Sequence, residues 1–530
     1  RDYSKVEYII LTGRNLLEAI STSETSALMD AVARGAKLVV LDPRFTKTAA
    51  KATEWIPIRP GTDLAFHLTL IHVIATERLG ACDFIKQYVV GCDQLPDEMA
   101  HYTPEWAESK TGVPADTIRR IAREFAAAKP NAMAHPGWRT SNFINSFQTE
   151  RAIATLNSMV GNIFTPNGCL VAESPEASGV KLGKPPQPPY PRISALRLDG
   201  VPWKFPMVPL KLGIFQNIRD AILAGQPYQA RGWFIARQNP ALSLPERAKT
   251  IAAFNKLDFT AVVDVIMNDT AWFADVVLPE ASYLERYDPL NVLGGKIWIR
   301  QPIIEPRGEG KSALWIYKQL GERLGLADYF QYTDEEDYLR QQLAPLGILL
   351  DTLKQHGYAE PPREEKPPEI TFNTPSGKIE VYSETLANAG FPAWPTWDEP
   401  LAPGPGEFYL LTGKVGQHTQ FGTQNNQWLH EVFPRNALWI HPKAAAARGI
   451  NMNDKVWVKS PAGEVVIEAF VTEGIRPDCV YLTPGFGHLS KGLRTAYGQG
   501  ASDSDLHATY TDPISGGQAL TQTFVTVEKA

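Results

Sequence analysis

The chain has few cysteines, and their spacing excludes the common cysteine-ligated metal sites. The four cysteines are Cys82, Cys92, Cys169 and Cys479, and no two of them form a Cys-x-x-Cys pair. Structural zinc and iron–sulfur clusters are usually held by such closely spaced thiolates. We therefore predict no metal ligands in this chain, and we interpret the four thiols as isolated and mostly buried.

Other features are also missing. No apolar run is long enough to span a membrane, and a formal net charge of -6 argues against a nucleic-acid surface. No Gly-x-Gly-x-x-Gly motif is present, so an ordinary NAD site is unfavoured. The chain opens on RDYSKVEYIILTG, with neither Met nor an export signal, and enters a strand at once. We therefore expect a fragment that lacks its N-terminal portion.

What the chain does contain is typical of a globular protein. Hydrophobic residues make up 44% and charged residues 21% of its 530 residues. This length is too great for one hydrophobic core, and it predicts about two to four domains.

One pattern occurs twice, in VVLDPRFTKTAAKATEWIPIRP and AVVDVIMNDTAWFADVVLP. In each copy an apolar strand ends at an Asp, Asp42 or Asp264, and a Thr-Ala pair and a Pro follow at matching places. Upstream, another apolar strand ends at Asn15 in the first copy and at Asn239 in the second. The segment between Asn and Asp has helical spacing. Each copy thus predicts a strand–helix–strand unit with parallel strands and a right-handed crossover.

The end of the chain has a different texture. From about residue 401, short β-rich runs alternate with Gly, Pro and Asp turns, which is typical of a β-barrel. We predict an α/β protein in which two related parallel-sheet nucleotide-binding domains are followed by a C-terminal β-barrel domain. The predicted bounds are 1–204 and 205–330 for the α/β domains, 331–400 for a helical and Pro-rich connector, and 401–530 for the barrel.

The four residues that end the repeated strands are candidate ligand groups. Asn15, Asp42, Asn239 and Asp264 all fall at carboxyl ends of parallel strands, where α/β sheets bind ligands. An Asp carboxylate can accept two hydrogen bonds from the N1 and N2 edge of guanine or from a ribose diol. A backbone turn at the Asn suits a pyrophosphate. The alternative for each single Asp is a turn-forming Asx residue. Because the pattern is duplicated, we predict two related nucleotide sites, one per half.

The loop AHPGWRTSN lies between a strand-like segment and a predicted helix, where chemistry is often found. We predict Arg139 and His135 as its catalytic residues. The Arg139 guanidinium carries a permanent charge that can hold an anion. His135 can move protons near neutral pH. The alternative for each residue is a structural hydrogen bond or a surface ion pair.

As an ordered set of motifs, the chain resembles the catalytic subunits of the dimethyl sulfoxide reductase family of molybdopterin enzymes. The motifs are GRN, DPRFT, IRPGTDLA, QNP, DTAWFADVVLP, TPSGKIEVYSETL, LLTGKVGQHTQFGTQNN, ARGINMNDKVWVKSPAGEV and GQGASDSDL. Within the family, HPGWRTSNFINSFQTERAIATLNSMVGN is most similar to polysulfide and thiosulfate reductases. The motif GRN departs from the commoner Gly-Ser-Asn and leaves the role of Arg14 open.

The resemblance implies bis(molybdopterin guanine dinucleotide) with molybdenum, or tungsten as the alternative metal. It places a 4Fe-4S cluster and the protein ligand to the metal in the missing N-terminal segment. The cofactor-binding residues that the resemblance and the duplicated pattern imply are Gly13, Asn15, Asp42, Arg44, Gly61, Asp63, Gln238, Asn239, Asp264, Thr270, Thr412, Gly413, His418, Thr423, Asn425 and Ser502.

The implied activity is respiratory reduction of polysulfide or thiosulfate by two-electron transfer. The alternatives are arsenate, tetrathionate, nitrate or formate as substrate, or a non-catalytic structural or electron-relay homologue, which would have degraded nucleotide motifs. The implied partners are a ferredoxin-like iron–sulfur subunit, a quinol-oxidising membrane subunit and a small inorganic sulfur substrate, with no nucleic acid. The implied location is the periplasm or the outer face of the cytoplasmic membrane.

Overall fold

A computed structural model of the chain describes residues 2–18, 21–138, 140, 142–163, 180–191, 194–361 and 372–530. In these residues it has a four-stranded and a three-stranded parallel sheet, a closed barrel, and two smaller sheets of two and three strands. The predicted fold class is confirmed, because the first two of these sheets are parallel and the barrel is formed by the last strands of the chain. In these ranges no helix has the length and apolar character needed to cross a membrane.

The first α/β unit is built on a parallel sheet with the strand order β3-β2-β1-β5. Its strands are rich in Val, Ile and Leu, which suits a sheet that is covered on both faces. Its elements are β1 (Tyr8–Thr12), α1 (Thr22–Ala33), β2 (Lys37–Leu41), β3 (Glu54–Ile56), α2 (Asp63–Thr76), α3 (Cys82–Tyr88), β4 (Val89–Val90), α4 (Leu95–Glu98), α5 (Pro104–Thr111), α6 (Ala115–Ala127), β5 (Ala132–Pro136) and α7 (Ser146–Met159).

Both faces of this first sheet are buried. Alternating residues such as Ile10 and Val39 pack with apolar side chains of α2, α6 and α7. The residues between them, such as Ile9 and Leu38, pack with α1 on the other face. Each of these side chains contributes roughly 1.5–3 kcal/mol by leaving water. The carboxyl edge of the sheet is therefore a firmly held platform.

The second α/β unit has a smaller parallel sheet with the strand order β6-β7-β8. Ile235, Phe254 and Val262 form part of its core. Other apolar side chains of the sheet face solvent, with Phe234 46% and Phe259 48% exposed. Its elements are α8 (Phe215–Ala224), β6 (Gly232–Ala236), α9 (Pro240–Ser243), α10 (Arg247–Lys256), β7 (Phe259–Asp264), α11 (Asp269–Trp272) and β8 (Val276–Pro279).

The segment between the second unit and the barrel returns to the first unit. Its strand β12 pairs in parallel with β4. Arg151 on α7 donates hydrogen bonds to the carbonyls of Val381 and Ala393, at 3.1 and 2.7 Å. The elements of this segment are β9 (Asn291–Leu293), β10 (Lys296–Trp298), α12 (Ala313–Arg323), α13 (Glu335–Leu343), α14 (Leu350–His356), β11 (Tyr358–Ala359), β12 (Ile379–Glu380) and α15 (Glu384–Asn388).

The C-terminal barrel closes in the order β13-β17-β14-β16-β15-β18. Closure pairs every strand with two neighbours and leaves no open edge. Alternate side chains, including Leu410, Leu438 and Val480, fill its interior. Its elements are β13 (Phe408–Thr412), α16 (Gln427–Val432), β14 (Leu438–Ile440), α17 (Pro442–Ala446), β15 (Lys455–Ser460), β16 (Gly463–Val471), β17 (Cys479–Leu482) and β18 (Phe524–Lys529).

Candidate functional site

The two α/β units repeat the same side-chain hydrogen bonds at the carboxyl ends of their sheets. In the first unit, the Thr48 backbone N–H and hydroxyl both donate to Asn15 Oδ1, at 3.3 and 2.8 Å. In the second, Thr270 makes the same two bonds to Asn239 Oδ1, at 3.0 and 2.9 Å. Each Thr oxygen also accepts from the backbone N–H two residues after the Asn, at 3.0 Å in both units. The duplication seen in the sequence is thus a duplication of structure.

The turn before each Asn also has the same backbone conformation. Gly13 has a φ of 57° and Arg237 a φ of 55°, both in the left-handed region. The N–H of each donates to a carbonyl at the end of the neighbouring strand, Leu41 or Val263, at 2.9 Å. Glycine adopts this region without strain, whereas Arg237 adopts it at a cost. The Arg237 side chain donates to both carboxylate oxygens of the buried Glu280.

Both repeated Asp residues take part in the turn that follows their strand. Asp42 Oδ1 accepts from the Arg44 N–H at 2.9 Å. Asp264 Oδ1 accepts from the Val265 N–H at 2.6 Å, and its Oδ2 accepts from Asn268 at 2.7 Å. Burial raises the pKa of Asp264 above its usual range. A carboxylate has about four acceptor positions, so a turn role and a ligand role are compatible.

A cavity of ≈ 420 Å³ lies between the carboxyl end of the first sheet and the barrel. Its wall combines acidic, basic and aromatic side chains, which suits a polar ligand with a planar part. The predicted cofactor residues in this wall are Gly13, Asn15, Asp42, Arg44, Asp63, Thr412 and Gly413.

Arg44 joins the first unit to the barrel beside this cavity. Its guanidinium lies over the Tyr481 ring, 4.0 Å from the centroid, and 5.4 Å from the centroid of Trp439. The Tyr481 hydroxyl donates to the Gly413 carbonyl at 3.0 Å. A Cβ at Gly413 would lie 3.2 Å from the Tyr481 ring and 3.3 Å from Arg44. The close approach of these groups therefore favours glycine at this position.

Asp63 is a buried carboxyl group of the cavity wall, at the first residue of α2. Burial is the main reason that the pKa of Asp63 is raised to about 7, and the negative charges of Asp42 and Glu150 contribute to this rise. A ligand that brings N–H donors would stabilise the charged form of this carboxyl group.

The two predicted catalytic residues differ in what the structure shows of them. Arg139 lies outside the described residues. His135 ends β5 and has a fully buried side chain that is not part of the cavity wall. Its Nδ1 lies 2.7 Å from the Pro136 carbonyl oxygen, and its Nε2 lies 3.1 Å from Glu24 Oε1. Both partners are oxygen acceptors, so either ring nitrogen can donate a hydrogen bond when it carries the proton.

Several predicted cofactor residues of the barrel bond to the barrel itself and lie outside the cavity wall. His418 Nδ1 lies 3.2 Å from the Thr423 hydroxyl. Asn425 Oδ1 accepts from the Thr495 N–H at 3.0 Å. Ser502 Oγ accepts from a backbone N–H of the next turn at 3.3 Å. These bonds order the loops at one end of the barrel, and a cofactor role for these residues stays a prediction.

The predicted residues of the second unit also lie outside this cavity. Gln238 is exposed, while Asn239, Asp264 and Thr270 lie at the edge of the second sheet. Gly61 has a positive φ and packs against Phe143, just beside the wall.

The barrel contacts the second unit through Asp269, the residue before Thr270. Asp269 accepts from His488 Nδ1 at 2.6 Å and from the N–H groups of Leu489 and Ser490 at 2.5 and 3.2 Å. Burial alone would raise the pKa of Asp269, but the hydrogen bond and charge of His488 outweigh it and hold the pKa below its usual range. This side chain therefore anchors the barrel.

Other cavity residues were not predicted from the sequence. Trp138 is 67% exposed at the wall, and Lys414 Nζ lies 4.9 Å from its ring centroid. Trp138 belongs to the loop AHPGWRTSN, so the sequence offered a signal for it. Phe421 belongs to the motif LLTGKVGQHTQFGTQNN, which offered a signal, whereas the sequence context of Tyr481 offered none. Arg14, in the motif GRN, also lies in the wall.

Among the residues that the structure describes, no group of three or more His, Cys, Asp or Glu side chains is placed to hold a metal ion. Cys479 is buried and Cys92 half-buried, but Cys82 is exposed. The prediction of burial is therefore wrong for Cys82, which begins the surface helix α3. Cys169 lies outside the described residues.

The chain is similar to proteins of known family. The profile of molybdopterin oxidoreductases matches residues 2–323, and that of the molybdopterin dinucleotide-binding domain matches residues 408–524. The thiosulfate reductase molybdopterin-containing subunit PhsA of Salmonella typhimurium is 33% identical over 97% of this chain and 73% of its own length. Dimethyl sulfoxide reductase DmsA of Escherichia coli is 28% identical over 93% of this chain and 67% of its own length.

A solved structure has the same fold. Acetylene hydratase from Pelobacter acetylenicus superposes with a TM-score of 0.85, at 22% identity, over 100% of this chain and 78% of that one.

Proposed function

The chain belongs to the dimethyl sulfoxide reductase family of molybdopterin oxidoreductases, and on that premise we propose that it reduces thiosulfate or polysulfide by two-electron transfer. It is a molybdopterin-dependent oxidoreductase, as its motifs predicted. The observation that supports the substrate is the 33% identity to a protein named as a thiosulfate reductase subunit, over 97% of this chain. Arsenate, tetrathionate, nitrate, formate and dimethyl sulfoxide are the alternatives that the assay below separates.

We infer that the cavity beside the first sheet holds one molybdopterin guanine dinucleotide and that the second unit holds another. The residues present fit this group. Asp42 and the buried Asp63 offer acceptors for the N–H edge of guanine or pterin, and Phe143 and Phe421 offer apolar wall for a planar ring. Burial raises the pKa of Asp63, and N–H donors from a bound ligand would stabilise its charged form. When bound, the cofactor supplies a molybdenum centre, or alternatively a tungsten centre, for two-electron chemistry.

In this proposal the side chains of the chain bind the cofactor, orient the substrate and hold protons. Asp42 and Asp264 accept from guanine, one in each unit. Arg44 and Gly413 close the cavity against the barrel and keep water from one side of the ligand. We infer that Arg139 holds the anionic substrate by charge. We infer that His135 holds a proton between its Nε2 and Glu24 Oε1, which lie 3.1 Å apart.

We also infer that electrons reach the cofactor through a 4Fe-4S cluster, a ferredoxin-like iron–sulfur subunit and a quinol-oxidising membrane subunit. The supporting observation is that the Salmonella relative is named as one subunit of a reductase. We place this enzyme in the periplasm or at the outer face of the cytoplasmic membrane.

The test is a substrate panel on enzyme purified with its cofactor. Oxidation of reduced viologen dye is followed with thiosulfate, polysulfide, tetrathionate, arsenate, nitrate and dimethyl sulfoxide, and formate is tested as an electron donor. We expect thiosulfate or polysulfide to give the highest kcat/KM. Protein from cells that cannot make molybdopterin is the control and should be inactive. High activity with another substrate and none with either sulfur compound would overturn the proposed substrate.

A further inference from the structure

Arg14 is a cationic residue of the cavity wall that has no counterpart in the second copy of the repeat. The repeat aligns Gly13-Arg14-Asn15 with Arg237-Gln238-Asn239, so a neutral, exposed Gln238 stands at the matching position. The Arg14 side chain is only 16% exposed. The two copies therefore share a backbone but differ in charge at this point.

The hydrogen bonds of Arg14 leave part of its guanidinium available. Nη2 donates to Glu24 Oε2 at 2.7 Å. Nε is buried and has no hydrogen-bond partner in the part of the chain that the structure describes. A buried N–H without a partner is destabilising, and more so in a charged group. Because Arg14 belongs to the cavity wall, a ligand that accepts from its guanidinium would add a charge-assisted hydrogen bond.

Glu24 holds Arg14 in one orientation. Its carboxylate also lies 3.1 Å from His135 Nε2, and it accepts from the Tyr3 hydroxyl at 3.1 Å. The hydrogen bond from His135 is the main reason that the pKa of Glu24 lies well below its usual range, and the charge of Arg14 adds to it against the effect of burial. Glu24 is therefore charged at all ordinary pH values. Because it already holds the Arg14 side chain, a ligand that binds Arg14 loses little free energy to the ordering of that side chain.

The wall of the cavity combines two kinds of charged group. Arg14 carries a permanent positive charge, and its Nη2 lies 2.7 Å from Glu24 Oε2. The same wall contains the carboxyl groups of Asp42 and Asp63. A ligand that has both an anionic group and N–H donors can bind Arg14 through the first and these carboxyl groups through the second.

We propose that Arg14 binds an oxyanion in this cavity and that Glu24 is its positioning residue. The oxyanion is either the diphosphate of the bound dinucleotide or an anionic sulfur substrate such as thiosulfate. A planar guanidinium binds either group through two parallel hydrogen bonds. The proposal rests on the proposed function, because it takes the cavity as the place where dinucleotide and substrate are held. It distinguishes the first unit from the second, in which Gln238 offers no charge.

The experiment is calorimetric titration of the 530-residue chain with GDP, guanosine and thiosulfate. Arg14→Gln gives the first unit the residue of the second, and should weaken binding of GDP or thiosulfate about tenfold while guanosine binding stays unchanged. Arg14→Lys keeps the charge and should lose less. Arg231→Gln removes a charge from an exposed Arg, 83% accessible, and is the matched control that should behave as wild type.

The outcomes are distinguishable. Loss of GDP affinity alone identifies the diphosphate as the ligand, and loss of thiosulfate affinity alone identifies the substrate. Glu24→Gln should lower the affinity for the same anion. Glu24→Asp, which keeps the carboxylate, should restore part of that affinity, as a positioning role requires. Guanosine that fails to bind the wild-type chain would count against the nucleotide site, while thiosulfate still tests Arg14. If neither anion binds, or if neither loses affinity in Arg14→Gln and Arg14→Lys, the proposal is overturned.

Discussion

The two α/β units have the same hydrogen-bonded scaffold and differ in the residues mounted on it. In both, an Asn amide oxygen holds a Thr, and the turn before the Asn has a positive φ. The residue directly before the Asn differs in charge: it is the cationic Arg14 in the first unit and the neutral Gln238 in the second. The comparison teaches that the Asn and Thr of the repeat fix the backbone, and that their neighbours set what each unit contacts.

Contacts with the barrel show the same division. Lys47 is exposed in the first unit and pairs with Glu18 at 3.2 Å. Asp269, at the matching position of the second unit, is buried and bonds to His488 of the barrel. The first unit meets the barrel through Arg44 and Tyr481 instead, and the cavity lies beside that contact. The same scaffold thus binds the barrel tightly through Asp269 in the second unit and borders the cavity in the first unit.

The largest expected difference concerns this anchor. Asp269→Ala leaves His488 buried without its carboxylate and should cost roughly 3–5 kcal/mol of unfolding free energy. Lys47→Ala, the matched control in the first unit, should change it by less than about 0.5 kcal/mol. Urea unfolding followed by circular dichroism measures both. Equal losses would show that the two positions do not differ in the way the structure indicates.

A second prediction concerns the pH dependence of the ligand-free chain. Because the folded pKa of Asp63 is raised to about 7, the folded state holds this proton more tightly than the unfolded state, whose Asp pKa is about 4. Stability should therefore fall as pH rises between these values, by on the order of 2–4 kcal/mol. Asp63→Asn should flatten this part of the profile. An unchanged slope in Asp63→Asn would contradict the assignment.

The smallest effect should be equal in the two units. Thr48→Ala and Thr270→Ala each remove the hydroxyl that bonds to the Asn and leave buried polar groups unpaired. Each should lower the unfolding free energy by about 1–3 kcal/mol. Thr48→Ser and Thr270→Ser keep the hydroxyl and should lose less. A large effect in one unit and none in the other would break the structural equivalence that the comparison rests on.

The sequence predicted the repeated units because apolar strands and their terminal Asn and Asp residues are local patterns. It also predicted the barrel, from short strands between turn residues. It placed a Thr at the same point of each copy but did not predict that this Thr bonds to Asn15 or Asn239, because the two residues lie about thirty positions apart. Tyr481 joins the cavity wall only when the barrel docks. Pairing of β12 with β4 depends on a similarly distant contact.

The central claim is that each α/β unit holds one guanine dinucleotide through its repeated Asp, Asp42 or Asp264. The most direct measurement is GMP release and molybdenum content of cofactor-loaded enzyme carrying Asp42→Ala, Asp264→Ala or both. We predict one GMP for each unit in the wild-type enzyme, a clear loss in each single variant, and the largest loss of both GMP and molybdenum in the double variant. Unchanged GMP and molybdenum in the double variant would contradict the account.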